Sequence, residues 1–437
     1  MAGGVRSWLR KLASTVSSNR TDATRFMQPS PVHSATSKTK ISQTNVKATD
    51  AQIYTLVGRR TYLRLDLDVL DNNLAIVRRQ CSPHTDIIAV LKANAYGHGS
   101  VEIARYLASR GIGHFAVATP EEGAQLRQAG IQGHILVLGN AVEEEILALV
   151  EYRLTPTVAE LIFLQDWSRA ISKSKHTRKR HQVVLKIDTG MSRNGCQPHD
   201  FPNLIQYCLE NNLNIHSVMT HFPQGWDNPD ITRHQFNTFM SLTEPYRRLG
   251  VRLHVATSSA NVHGLGTNLE FIRQGANLFG LPRDASFAEQ VRSLGLRPVL
   301  SWRARPNLIK QLAQGRSVGY GNDYITLGTE TIATFGLGLA DGYDLLLSGK
   351  GVVTLQKDGL QFPVVGRVSL DAITVRLDEP RPLSTTYNII TGDFTSPNSV
   401  AQMSAVLGME CVHVVTRLTV RLPRVFVSGT RVEAVSH

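Results

Sequence analysis

The stretch IIAVLKANAYGHG, residues 87–99, ends a short apolar run in one lysine, Lys92, followed by Tyr96 and by His98 between two glycines. A buried ammonium loses its hydration. Such a lysine either reaches water along its methylene stem or works as an amine with a lowered pKa. A neutral amine condenses with an aldehyde, which is the chemistry of Schiff-base lysines. Other reactive types follow along the chain. Lys186 and Arg193 lie in KIDTGMSRNG, His221 in THF, Ser258 in VATSSAN and Arg273 in FIRQGANLFGL. Tyr320 stands between glycines in VGYG, and Leu370 and Asp371 close GRVSLD. Taken singly, each has a plain structural reading. Tyr96 and Tyr320 read as turn tyrosines, Ser258 as a helix cap, His221 as a core histidine and Arg273 as a partner for a helix end.

The elements that would position these groups form a regular series. TYLRLDLD alternates like a strand, and VLDNNLAIVRR follows at helical spacing. Short apolar runs then recur at 86–92, 114–118, 134–138, 154–158, 182–188, 215–222, 252–257 and 270–276, separated by helical segments. Thr119-Pro120-Glu121-Glu122 reads as a capping box, and Ser100 as the cap of the helix that Gly111 ends. Strands alternating with helices in this way predict an α/β protein with a (β/α)8 barrel, whose catalytic face lies just past the strand ends. A doubly wound sheet is the alternative, but no G-x-G-x-x-G opens the first unit. From about residue 295 the pattern changes to period-2 alternation, with Asp358-Gly359 marking a hairpin. The expected organisation is a leader over 1–54, a barrel over 55–294 and a mainly β domain over 295–437.

Composition narrows the function classes. Of 437 residues, 42% are apolar and 19% charged, which is globular. No apolar run is long enough for a transmembrane helix, so no membrane association is expected. Cys81, Cys196, Cys208 and Cys411 lack metal or disulfide spacing, and no metal site is expected. The net charge of +12 is concentrated in residues 1–50 and in KSKHTRKR at 173–180, which leaves the rest near +1. That distribution does not make a nucleic-acid face. The leader is Ser/Thr-rich, and Arg6, Arg10, Lys11 and Arg20 precede its first acid. It resembles an organelle transit peptide, and it also reads as a disordered extension of a cytoplasmic protein. Both a mitochondrial and a cytoplasmic location stay open.

The segment AVLKANAYGHG resembles the pyridoxal-phosphate attachment motif of alanine racemases. KIDTGMSRNG, THF, VATSSAN, FIRQGANLFGL, VGYG, GLADGY, GRVSLD and RLPRV follow in that family's order, so the resemblance runs from about residue 60 to 430. It implies interconversion of L- and D-alanine by two bases on pyridoxal 5'-phosphate. Lys92 would carry the cofactor and serve one face of the substrate. Tyr320, contributed by the partner subunit of a head-to-tail homodimer, would serve the other. Tyr96, Ser258 and the backbone at Gly275 and Ala276 would bind the phosphate. Arg273, supported by His221, would face the pyridine nitrogen and leave it unprotonated, because arginine is only a donor. Arg193 would bind the substrate carboxylate, with Leu370 and Asp371 completing the pocket. Lys186 matches a lysine often carbamylated in the family.

The chain departs from that pattern at several positions. Leu339 replaces a tyrosine at the entrance, which suggests that serine is accepted alongside alanine. Phe426 stands where a tyrosine hydroxyl is expected to bind phosphate. Thr257 replaces an asparagine, and Leu370 replaces a methionine of similar volume. A non-catalytic pyridoxal-phosphate carrier would need no second base. A barrel decarboxylase would need an acid at the position of Arg273. A zinc aldolase would need a late His/Cys pair, for which Cys411 and His413, in an apolar strand-like pattern, are the only hint.

Overall fold

A computed structural model describes residues 47–174 and 181–437. The leader and most of the basic 173–180 run lie outside the described residues. Eight parallel strands form the first sheet: β2 (Asp86–Val90), β3 (His114–Val117), β4 (His134–Asn140), β5 (Thr155–Val158), β6 (Gln182–Lys186), β7 (Asn214–Met219), β8 (Leu253–His254) and β9 (Phe271–Gln274). They are arranged in the order β8-β7-β6-β5-β4-β3-β2-β9. Arg273 N donates to Ala256 O at 2.9 Å, which ties β9 to the segment after β8 and brings the sheet round to a nearly closed barrel. The eight apolar runs of the sequence are these eight strands.

Both faces of a barrel strand are buried, so strands such as β2 (DIIAV) and β3 (HFAV) carry consecutive apolar residues rather than an alternation. In β2, Ile88 and Val90 join Ala116, Leu136, Val184, Met219 and Phe271 in the barrel interior. The alternate residues Ile87 and Ala89 pack into the outer core beneath the helices. Pro156 in β5 lacks a ladder donor, and the β4–β5 register shifts between Val137 and Asn140.

A seven-stranded sheet and a three-stranded sheet make up the remainder. The larger sheet contains β10 (Leu300–Ala304), β13 (Val352–Leu355), β14 (Gln361–Pro363), β16 (Tyr387–Ile390), β17 (Arg424–Ser428) and β18 (Arg431–Ser436). The smaller has the order β11 (Leu308–Leu312), β12 (Glu330–Phe335), β15 (Ile373–Leu377). The strand that precedes the barrel, β1 (Thr61–Asp66), pairs antiparallel with β10 and parallel with β17. Although adjacent in sequence to the barrel, it therefore lies inside the second sheet and fastens the two parts together. The CVH segment, read above as strand-like, is instead the start of the helix Cys411–Thr416, with Cys411 fully buried. Among the described residues no helix is long and apolar enough to cross a membrane, and no group of three or more metal-ligating side chains is arranged around a metal position.

Candidate active site

Lys92 opens the turn Lys92–Tyr96 at the C-terminal end of β2. The next four residues, Ala93, Asn94, Ala95 and Tyr96, all have φ between 51° and 54°. Left-handed backbone costs about 1–2 kcal/mol per non-glycine residue, so the turn needs support. Glu122 Oε1 accepts from Ala93 N and Oε2 from Ala118 N, both at 2.7 Å. Thr119 Oγ1 does accept from Glu122 N at 3.4 Å, but the Glu122 carboxylate braces the lysine turn instead of completing a capping box. Asn94 Oδ1 accepts from Ser100 N at 2.8 Å, so Asn94 caps the next helix, the role read above for Ser100. From the second domain, Arg424 Nε donates to Gly97 O at 2.8 Å. Gly97 has φ 79°, and a Cβ there would strike Val415 O. His98 is fully buried against Phe279, and its desolvated ring has a pKa lowered to about 4.

The reversed turn brings Tyr96 to the end of the neighbouring strand β9. Its hydroxyl oxygen would lie 2.5 Å from a Cβ on Gly275, so only glycine leaves the hydroxyl its place. Burial raises the Tyr96 pKa, keeping the hydroxyl a donor. Ser258 Oγ accepts from Gly275 N at 3.3 Å and from Asn277 N at 3.2 Å. Ser258 therefore caps the short turn Ala276–Phe279, not the helix it begins. Gly275 N is thus committed to Ser258, while Ala276 N, at the first position of that turn, has no carbonyl of the turn to bond.

Arg273, on β9, is 4% exposed. Its Nη1 donates to His254 Nδ1 at 2.8 Å and to His254 O at 3.1 Å. Its Nη2 donates to Thr220 O at 2.8 Å, Val255 O at 3.2 Å and His221 Nδ1 at 3.3 Å. Five acceptors thus fix the plane of the guanidinium. Desolvation lowers its pKa to about 10, which still leaves it a cation at neutral pH. His221 is held neutral by burial and by Arg273. His254, which the sequence reading did not single out, is the stronger support. Its position at the end of a barrel strand is the signal that could have found it.

These groups converge on one cavity of about 330 Å³ lined by Lys92, Tyr96, Lys186, Arg193, His221, Ser258, Arg273, Gly275 and Ala276. Trp226, Glu410 and Val412 also line it, and the sequence reading did not anticipate them. Lys92 is exposed to the cavity, not sealed in the core. Even so, the protein around it and the cations Arg193 and Arg273 lower its pKa. Lys186 is 4% exposed, and burial with the same two arginines brings it to about 8. Four cations thus face a space in which Glu410 is the one lining carboxylate among the described residues.

Tyr320, Leu370 and Asp371 do not line the cavity of their own chain. Tyr320 is 68% and Leu370 61% exposed. Leu370 and Asp371 adjoin Leu339, whose N donates to Ser369 O at 3.0 Å, and Asp371 Oδ1 accepts from Arg421 Nη1 at 2.7 Å, while the glycines flanking Tyr320 lie beside Arg367 of the same GRVSLD segment. Phe426 is corrected by the structure. It is 1% exposed within β17 and does not line the cavity, so the lack of a hydroxyl there removes no phosphate donor.

Comparison with known proteins gives a consistent picture. The family description "Alanine racemase, N-terminal domain" matches residues 65–283, and "Alanine racemase, C-terminal domain" matches 299–426. The chain is 31% identical over 382 residues to an alanine racemase of Methanococcus maripaludis, covering 85% of this chain and 100% of the relative. It is 31% identical over 391 residues to alanine racemase 2 of Bacillus subtilis, covering 86% and 97%. Among solved structures, the alanine racemase of Clostridium difficile 630 superposes with a TM-score of 0.78 at 29% identity, covering 86% of this chain and 98% of that one. The alanine racemase of Bacillus anthracis with bound L-Ala-P gives a TM-score of 0.77 at 28% identity, covering 86% and 97%.

Proposed function

Because the chain belongs to the alanine racemase family and is an enzyme of it, we propose that it interconverts L- and D-alanine with pyridoxal 5'-phosphate held in the barrel cavity. The observation that carries this reading is the convergence of Lys92 and Arg273 on one cavity, with the guanidinium fixed by five acceptors. The donor set suits the cofactor. A dianionic phosphate calls for several donors. Tyr96 over the Gly275 recess, Ser258 and the N-terminus at Ala276 supply them at one end. Arg273 supplies a donor for the ring nitrogen at the other. The surplus of cations in the cavity also favours a polyanion.

When bound, the cofactor supplies an electron sink that acidifies the α-hydrogen of an amino acid joined to it. The chain's own residues do the rest. The Lys92 amine, with its lowered pKa, takes or returns a proton at Cα from one face. Tyr320 of a second copy serves the opposite face, which accounts for its exposure outside its own cavity. Arg193 binds the substrate carboxylate, and the Leu370–Asp371 segment of the second copy closes the pocket. Arg273 remains a donor, so the pyridine nitrogen stays unprotonated and the reaction relies on closely placed bases. The active unit in this reading is a homodimer with two shared sites.

The direct test is to load the purified protein with pyridoxal phosphate and follow L-alanine by chiral analysis. Cofactor absorbance and D-alanine formation are both expected, and both should vanish in Lys92→Ala. A wild-type protein that stays colourless after cofactor addition rules the proposal out, whereas colour without interconversion points to a carrier.

A further inference from the structure

The β6–β7 ladder contains an irregularity that reaches the active site. Val183 pairs with Ile215 and Val184 with Ser217, so His216 is the extra residue of a bulge. Neighbouring strand residues normally point to opposite faces, and a bulge re-aims one of them. Here His216 and Ser217 both face inward and are fully buried. The His216 ring packs among Phe271, His134 and His114 at centroid distances of 5.1, 5.3 and 5.5 Å. Its Nδ1 lies 2.8 Å from Ser217 Oγ, and Ser217 Oγ lies 2.8 Å from His254 Nε2.

These contacts have one direction. Arg273 can only donate, so His254 Nδ1 must accept from it. His254 is neutral because burial and Arg273 disfavour its cation, so its single ring proton sits on Nε2. That Nε2–H donates to Ser217 Oγ, whose other ring contact is His216 Nδ1. The sequence of donors and acceptors is thereby set from the Ser217 oxygen to the guanidinium.

We infer that Ser217 is a positioning residue for Arg273, providing the buried acceptor that holds His254 in the Nε2–H tautomer. With the proton on Nδ1, an N–H would face the Arg273 Nη1 donor and the guanidinium would lose one of its anchors. Without the serine hydroxyl, the Nε2–H would be buried without a partner, at a cost that loosens the ring. The functional consequence rests on the racemase reading above, but the hydrogen-bond assignment does not.

The test therefore begins with the cofactor-free wild-type protein, labelled with ring-15N histidine and with His254 assigned by His254→Gln. A single Nε2–H tautomer is expected for His254. An Nδ1–H tautomer, or averaging between the two, overturns the inference whatever the protein catalyses. In the loaded enzyme, Ser217→Ala should lower kcat for L-alanine about threefold to tenfold, the range of one lost hydrogen bond, with KM changed less than about twofold. It should also broaden or split the His254 signal, and Ser217→Thr should restore both. A Ser217→Ala protein that loses thermal stability but keeps kcat and the His254 signal makes Ser217 merely structural and overturns the inference. Should Ser217→Ala fail to fold, the wild-type tautomer and the Ser217→Thr variant decide. Failure of the wild type to racemise alanine removes the function and leaves the tautomer result intact.

Discussion

Glu122 accepts the backbone N–H of Ala93, 2.7 Å away, at the residue where the chain turns left-handed after Lys92. The other carboxylate oxygen holds Ala118 at the end of the neighbouring strand, so one side chain joins two barrel loops. Truncation in Glu122→Ala leaves two backbone donors without protein acceptors and an unsupported strained turn. The expected loss of stability is about 1–3 kcal/mol, with weaker pyridoxal phosphate binding. Glu122→Gln keeps one acceptor and should lose less. Urea unfolding and cofactor titration by absorbance measure both effects, and equal stability of all three proteins would refute the bracing role.

The separation of Tyr320 from its own cavity makes complementation decisive. Lys92→Ala and Tyr320→Phe should each be inactive as homodimers, with Tyr320→Phe still binding cofactor. If two copies share their sites as proposed, the two variants unfolded together and refolded in equal amounts should form mixed dimers with one intact site, and about a quarter of wild-type activity should return. A mixture that stays inactive despite proven exchange of subunits counts against shared sites.

Buried neutral histidines give a pH dependence of stability whose sign is fixed. Burial lowers His98 to about 4 and His216 to about 2, both below the unfolded value. Unfolding below about pH 6.5 therefore takes up protons. Stability is fully present above that pH and falls as the pH drops toward the folded pKa values, by up to about 1.4 kcal/mol per pH unit for each histidine. Denaturant midpoints between pH 7.5 and 5 should decline, and less steeply in a folded His98→Asn variant. A flat profile contradicts the assignment.

Leu339 is 47% exposed beside the Ser369–Leu370 segment, and it has no hydroxyl where the family resemblance implies a tyrosine. L-serine should therefore be racemised with a kcat/KM within about 4 kcal/mol of that for L-alanine. Leu339→Tyr should widen the gap. Stronger discrimination by the wild type sinks the idea.

Local signals carried much of the fold. Most barrel strands are marked by short apolar runs because both of their faces are covered, and this is visible without coordinates. Lys92, Tyr96, Arg193 and Arg273, which line one cavity, were legible as candidates from their types, their places near strand ends and the ordered motifs around them. Partners set by long-range pairing were not. Thr61–Asp66 has the same alternation whichever sheet receives it, and its hydrogen bonds to β10 and β17 depend on residues hundreds of positions away. Glu122 read as a cap because capping is local, whereas its bonds to Ala93 and Ala118 exist only once neighbouring loops meet. Phe426 occupies a motif position, but strand register directs it into the core and away from the cavity. His216 and Ser217 share the barrel interior through a register shift that the segment IHSVMTHF does not announce. Residue type and short-range periodicity are properties of a segment, and they marked Lys92 and its neighbours as candidates. Bulges, cross-strand partners and the direction of a buried hydrogen bond belong to packed neighbours, which come together only when the chain folds.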